Sequence, residues 1–230
     1  MPSNAAMKWS YRDRTHAGEV LAKLLAERKY IGTPLVLAIP NGGVAVAASV
    51  AASLAAELDF IIVRKIQIPF NTEAGFGAVT SRGHVLMNEE LVQHLGLSED
   101  QIAEAVNKTK TQISERSQAY SGLGGTSDPH DRQVIIIDDG LASGFTMMAA
   151  ILSVRNSRPM TVTVAVPTAS MSAAEKIRPL VESFACPRIE TGWSFAVAEA
   201  YENWYDVPDS EVISILKRSR ESNVKRHAPN

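Results

Sequence analysis

The stretch VIIIDDGLASGFT, residues 134 to 146, constrains the fold more than any other part of the chain. Val134, Ile135, Ile136 and Ile137 form an unbroken apolar, β-branched run. A strand with one wet face alternates apolar and polar side chains, whereas a strand covered on both faces does not. The run therefore predicts a buried strand in a parallel α/β sheet. Two adjacent acids, Asp138 and Asp139, close the strand, and a small-residue loop through Gly144 leads into a helix. Adjacent like charges repel, so the pair requires partners. Ligands of open α/β sheets bind at the carboxyl ends of the strands.

The rest of the chain alternates in the same sense. Arg12 to Arg28 places Ala17, Val20, Leu21, Leu24 and Leu25 on one helical face. A strand over Leu35–Ile39, a small-residue helix over Val44–Leu58 and a strand over Phe60–Val63 follow. Pro69, Asn71, Gly75 and Gly77 mark a long mobile connection, and Phe76–Thr80 pairs with His84–Met87 as a hairpin across Ser81, Arg82 and Gly83. Asn88 caps a short helix to Leu95, and Ser98 with Gln101 forms a capping box for a polar helix to about Tyr120. After a Gly, Ser and Asp rich loop come the opening strand, a helix over Thr146–Arg155, a strand over Thr161–Val166, a helix near Ser172–Ile177 and a last helix from Asp209 to about Arg220. Strands alternating with helices give a parallel sheet covered on both faces.

Composition narrows the partners. A chain of 230 residues, 45% hydrophobic, buries one sizeable core. Its 23 basic and 25 acidic residues form no basic stripe interleaved with aromatics, so nucleic-acid binding has no electrostatic basis and the partner is small. The single cysteine, Cys186, allows no internal disulfide and fits a reducing, cytoplasmic setting as a small buried hydrophobe. Met1–Ser10 lacks the apolar core of a signal peptide. Leu35–Ala56 carries no charge, but Pro40, Asn41, Gly42 and Gly43 interrupt it, so it reads as strand, loop and helix and not as a membrane span.

The acids and the loop have complementary chemistry. Ionised carboxylates accept hydrogen bonds from the two hydroxyls of a vicinal diol. The turn Ala142, Ser143, Gly144, Phe145, Thr146 opens a helix whose free N–H groups attract an anion. Diol binding beside phosphate binding describes a ribose 5-phosphate.

The stretch resembles the ribose-phosphate signature of the type I phosphoribosyltransferases, with Ser143 standing for the usual first Thr of the loop. The resemblance implies that Asp138 and Asp139 hold the ribose hydroxyls of phosphoribosyl pyrophosphate, and Mg²⁺ through water, while Ala142–Thr146 holds its 5-phosphate. "AIPNGGVAVA" (38–47) looks like the family's pyrophosphate loop, which gives Asn41, Gly42 and Gly43 to the leaving group. "VRKI" (63–66) looks like the start of its mobile catalytic loop, with Arg64 and Lys65 as the cations over pyrophosphate and Glu73 as a candidate for a catalytic or metal role. "YRDRTHAG" (11–18) and "YENWYDVPDSEV" (201–212) look like a bacterial and archaeal branch whose substrate is generally not assigned. Asn41 stands where that branch commonly carries Arg, which removes a cation from the loop. The resemblance further implies a Rossmann-like core over about 33–185, a hood from about 1–30 and 186–220, a disordered tail over 221–230, and a homodimer.

Other readings compete at several positions. Paired glycines mark turns without any ligand, Arg64 and Lys65 also fit a solvated strand end, and the aromatics Trp193, Phe195, Tyr201, Trp204 and Tyr205 fit a core as well as a stacking wall for an acceptor. Trp204 and Tyr205 are the acceptor-wall candidates, on a different wall of the same cleft from the ribose-phosphate site. The five histidines lack metal-ligand spacing, no GxxxxGK[ST] or strand-linked GxGxxG is present, and the adjacent late acids do not match a haloacid-type phosphatase. Two functions of different class remain: an Mg²⁺-dependent transferase acting on a nitrogenous base, and a non-catalytic sensor of the same ligand, for which the loss of Arg at position 41 speaks.

Overall fold

The computed structural model of the chain describes residues 10–192 and 195–227, and the side chains of residues 72, 73 and 223–227 lie outside that description. In chain order the elements are α1 (Arg14–Ala26), β1 (Leu35–Ala38), α2 (Gly42–Ser53), β2 (Glu57–Phe60), β3 (Val63–Ile68), β4 (Asn71–Thr80), β5 (Val85–Met87), α3 (Glu89–Leu95), α4 (Glu99–Ala119), β6 (Gln133–Ile137), α5 (Phe145–Arg155), β7 (Thr161–Ala165), β8 (Thr168–Ser170), α6 (Met171–Ile177), β9 (Ser183–Ala185), β10 (Arg188–Glu190) and α7 (Asp209–His227).

The apolar run forms β6, the middle strand of a five-stranded parallel sheet ordered β2-β1-β6-β7-β9. Its side chains go alternately to two cores. Ile135 and Ile137 join Val36, Leu21, Val50 and Leu216 on the face covered by α1, α2 and α7. Val134 and Ile136 join Leu37, Met147, Ile151 and Ile177 on the face covered by α5 and α6. Both faces being dry explains why β6 shows no polar alternation.

The strand order positions the site. From β1 the chain moves outward to β2, and from β6 it moves the opposite way to β7 and β9. The crevice at a topological switch point therefore opens between the carboxyl ends of β1 and β6. Their register pairs Ala38 with Ile137, so the segments leaving both strands, Pro40–Gly43 and Asp138–Gly140, emerge side by side.

Three expectations are corrected. The second strand lies at Glu57–Phe60, three residues earlier than the apolar residues suggest, and α2 ends at Ser53. Residues 66–78, read as a mobile connection, are instead mostly β3 and β4 of a separate antiparallel sheet, β3-β4-β5. Ile66, Ile68 and Phe76 are buried there, and Gly75 lets the Lys65 stem cross it, since a Cβ at Gly75 would lie 2.1 Å from Lys65 Cγ. The last helix continues to His227, so residues 221–227 do not form the expected disordered tail. The hairpin across residues 81–83, the Asn88 cap and the Ser98–Gln101 capping box match the sequence reading.

The segments around residues 10–12 and 200–203 meet beside the crevice. Tyr11 N–H donates to the Ala200 carbonyl at 3.0 Å, and the Glu202 and Asn203 amides donate to the Tyr11 and Arg12 carbonyls at 2.8 Å each. Asp13 caps α1 through the His16 amide, so Arg14, the first residue of that helix, is turned inward and is 5% exposed. No helix among the described residues is long and apolar enough to cross a membrane.

Candidate active site

The acids at the end of β6 lie directly against the glycine turn after β1. A Cβ on Gly42 would fall 1.9 Å from Asp139 Oδ2, and one on Gly43 would fall 2.8 Å from the Ile137 carbonyl and 3.2 Å from Asp138 Oδ1. Only glycine permits this approach of backbone to carboxylate. The Pro40–Asn41 peptide is cis.

The acids are not equivalent. Asp139 Oδ2 accepts from Arg14 Nε at 2.8 Å, and Arg14 Nη1 donates to the Tyr205 carbonyl at 2.8 Å. The Arg14 guanidinium lies 3.9 Å from the centre of the Trp204 ring, where the ring face attracts a cation. Buried Tyr201 donates its hydroxyl to the Asp139 carbonyl at 2.6 Å. Asp138 Oδ1 accepts from the Asp139 amide at 2.9 Å and faces no comparable cation. Burial, then the neighbouring Asp139 charge, push the Asp138 carboxyl well above the usual carboxylate range. Burial also raises Asp139, and Arg14 opposes that rise.

Asn41 is engaged at both ends of its side chain. Its Nδ2 donates to the Val207 carbonyl at 2.7 Å and to Asp209 Oδ1 at 2.9 Å, while its Oδ1 accepts from Arg116 Nη2 and, at 3.0 Å, from the Tyr120 hydroxyl. Tyr120 also donates to Asp209 Oδ1 at 2.7 Å, and burial pushes its phenol up to about 12. Between the acid pair and this cluster lies a cavity of about 470 Å³, lined by Arg14, Asn41, Gly42, Arg116, Asp139 and Trp204 among others.

The loop after the acids opens α5. Gly144 holds φ of 76°, Ala142 and Ser143 are exposed, and Ser170 Oγ donates to the Ala142 carbonyl at 2.7 Å. Phe145 and Thr146 begin the helix, one residue earlier than expected. Arg64 and Lys65 lie on β3, which leaves the main sheet shortly after β2, and neither lines the cavity. Glu73 lies in β4, with its side chain outside the described residues, as does Trp193 altogether. Of the aromatic candidates, Tyr201 is core, whereas Trp204 and Tyr205 are 38% and 47% exposed. Trp204 nevertheless touches the ion pair through Arg14, so the two walls are not separate.

The sequence does not single out Arg14, Arg116 or Tyr120 for the site. Arg14 sits just after a capping Asp in "YRDRTHAG", a position that can turn it inward. Arg116 gives no such signal, being one charge among many on a polar helix.

A family model for the phosphoribosyl transferase domain matches residues 15–200. The chain belongs to the phosphoribosyl transferase family. Two Mycobacterium tuberculosis proteins, of strains CDC 1551 and H37Rv and each named "Putative phosphoribosyl transferase", are 31% identical over 209 residues, or 91% of this chain and 47% of their own length. The chain thus spans about half the length of these curated relatives. The crystal structure of TT1426 from Thermus thermophilus superposes with a TM-score of 0.77 at 32% identity, covering 90% of this chain and 98% of that one.

Proposed function

We propose that this family member transfers the 5-phosphoribosyl group of phosphoribosyl pyrophosphate to a nitrogenous base. The observation that carries this reading is the abutment of acid pair and glycine turn at the switch point, with the loop into α5 beside them. In the proposed reaction the bond from ribose C1 to pyrophosphate breaks, a bond from C1 to the acceptor nitrogen forms, and that nitrogen's proton is released. Asp138 and Asp139 orient the ribose through its 2- and 3-hydroxyls, and the amides opening α5 bind the 5-phosphate. Gly42 and Gly43 bring backbone to the leaving group, and Arg14 holds Asp139 in place and opposes the rise that burial imposes on its carboxyl. Arg64 and Lys65 are proposed to reach the leaving group only if the β3–β4 ribbon moves toward the sheet.

The donor set fits Mg²⁺, which takes one or two carboxylates together with substrate phosphates and keeps several waters. Asp138 and Asp139 would hold it, directly or through water, and its charge would offset the repulsion that burial imposes on them. When bound it would draw electron density toward the pyrophosphate.

Isothermal titration of phosphoribosyl pyrophosphate with Mg²⁺ tests the binding half. Micromolar affinity in the wild type and loss of at least tenfold in both Asp138→Asn and Asp139→Asn are expected, from charge-assisted bonds of about 1.5–3 kcal/mol each. Absence of binding would end the reading. The sensor alternative is favoured by one observation, the complete use of the Asn41 side chain within the protein. Sustained pyrophosphate release with any base would eliminate it.

A further inference from the structure

The cavity receives a second guanidinium from an element that carries none of the ligand motifs. Arg116 lies in the last turn of α4, where the helix dipole favours a cation, and this alone would leave its side chain in solvent. Instead it crosses to the Asn41 carboxamide and to Asp209 Oδ1, the latter at 3.0 Å, while its Nε lies 3.4 Å from the Tyr120 hydroxyl. Both N–H groups of the Asn41 side-chain amide are already given to Val207 and Asp209, so the side chain heading the glycine turn offers neither charge nor spare donor to an anion. Arg116 makes its contacts through Nη2 and Nε and lines the same cavity as Gly42 and Arg14. Its carboxylate partner is half exposed: the Asp209 side chain keeps 49% of its surface, against 24% for Arg116. An ion pair wet on that side is weak, whereas a phosphate offers more charge and a geometry that a guanidinium fork matches.

We infer that Arg116 is the cation that binds the anionic leaving group at the glycine turn, replacing a charge on Asn41, and that Asp209 holds its guanidinium until that anion displaces it. The inference rests on the transferase reading above. Asp209 is thereby a positioning residue that competes with the ligand, and this gives the two side chains opposite signs in one assay.

The test titrates three probes with Mg²⁺ into the full chain: phosphoribosyl pyrophosphate, pyrophosphate alone and ribose 5-phosphate. Arg116→Gln should weaken the first two about tenfold and leave ribose 5-phosphate within about twofold, as expected for loss of one charge-assisted contact. Asp209→Asn keeps an acceptor oxygen for Asn41, Arg116 and Tyr120 but removes the competing charge, so pyrophosphate should bind about three- to tenfold more tightly. Damage to the fold would weaken every probe in both variants and cannot produce that gain. Should Arg116→Gln not fold, Arg116→Lys, which keeps the charge and loses the fork, should lose about three- to fivefold on pyrophosphate alone. Equal loss of all three probes, no loss in any, or weaker pyrophosphate binding by Asp209→Asn would overturn the assignment. A wild type that binds ribose 5-phosphate and phosphoribosyl pyrophosphate while the variants behave so leaves the transferase reading intact. A wild type that binds none of the probes overturns that reading and this one with it.

Discussion

Replacing Arg14 by Met isolates the contact on which the acid pair depends. Met keeps most of the buried stem, so the change removes charge and hydrogen bonds with little cavity. Three things are lost: the 2.8 Å bond to Asp139, the 2.8 Å bond to the Tyr205 carbonyl and the stacking on Trp204. Arg14 is 5% and Asp139 16% exposed, so the pair is buried on one side and nearly so on the other. Removing one member of such a pair costs about 3–5 kcal/mol. Asp139 can escape part of that cost by taking a proton, so the lower figure applies: about 3 kcal/mol near pH 8, or about 6–12 °C in Tm for a chain of this size. The sign with pH follows from the acid. Without Arg14 the folded carboxyl of Asp139 rises further above its unfolded value, so the part of the deficit owed to Asp139 is absent where both states are protonated and grows as pH rises toward neutrality, on top of a pH-independent loss of the Tyr205 and Trp204 contacts. Calorimetry from pH 5 to 8 on wild type, Arg14→Met, Asp139→Asn and the double variant measures this, with a coupling of at least about 1.5 kcal/mol expected at pH 8. A loss below about 1 kcal/mol that does not change with pH, or zero coupling, would show that the pair is incidental.

The glycine turn gives a second test. Gly42→Ala puts a methyl 1.9 Å from Asp139 Oδ2 and 2.9 Å from Arg14 Nε, so either the acid or the turn must shift. Stability should fall by about 1–3 kcal/mol and phosphoribosyl pyrophosphate affinity by about a hundredfold, read by melting and titration; normal affinity would refute the close approach. Tyr205 and Trp204 should separate. Tyr205→Ala, whose backbone carbonyl still accepts from Arg14, should raise the acceptor KM about two- to tenfold and spare phosphoribosyl pyrophosphate, whereas Trp204→Ala should weaken both ligands because its ring holds Arg14. Steady-state kinetics with both substrates varied decides, and equal effects of the two variants would refute the distinction. Hypoxanthine and guanine should be poor acceptors, because Ala142 offers no group to exchange a proton with a purine ring nitrogen; efficient turnover of either would contradict this.

What the sequence revealed depended on how local the cause was. The strand, the acids and the loop of 134–146 are contiguous, and their apolar run reports two buried faces directly. β2 was displaced because its polar residues mask it. Buried Asp59 is satisfied by the amides of Phe60 and Ser127, and Glu57 by Arg132 at 2.6 Å, partners mostly found about 70 residues further on. The β3–β4 ribbon was hidden for the opposite reason: its glycines read as loop, although one of them makes room for Lys65 and its neighbours are buried. The cluster around Asn41 draws on three separate segments, carrying Asn41, Arg116 with Tyr120, and Val207 with Asp209, so no spacing could announce it. Asn41 itself carries no charge, and the charge beside it comes from Arg116 of α4.

The repulsion built into the adjacent acids is thus relieved unequally, and that inequality has a measurable price. Asp139 has Arg14 at 2.8 Å, while Asp138 accepts from the amide of its neighbour and faces that neighbour's charge, with Arg14 acting on it more weakly. Burial and Asp139 raise the Asp138 carboxyl in the folded state above its unfolded value. The folded chain therefore binds that proton more tightly than the unfolded chain does, and stability declines as pH rises from the ordinary carboxylate range through the raised one. Asp138→Asn keeps the side-chain oxygen that accepts from the Asp139 amide and removes the charge. Its Tm should lie above that of the wild type at pH 8, and the gap should close as pH falls through the ordinary carboxylate range, below which Asp138 is neutral in both states. The same variant should lose phosphoribosyl pyrophosphate, because the charge that strains the apo protein is the one the ribose hydroxyls and Mg²⁺ would use. Melting curves across that range, with and without ligand, measure both halves. A variant less stable than the wild type at every pH would show that Asp138 is a structural acid, already satisfied by the protein alone.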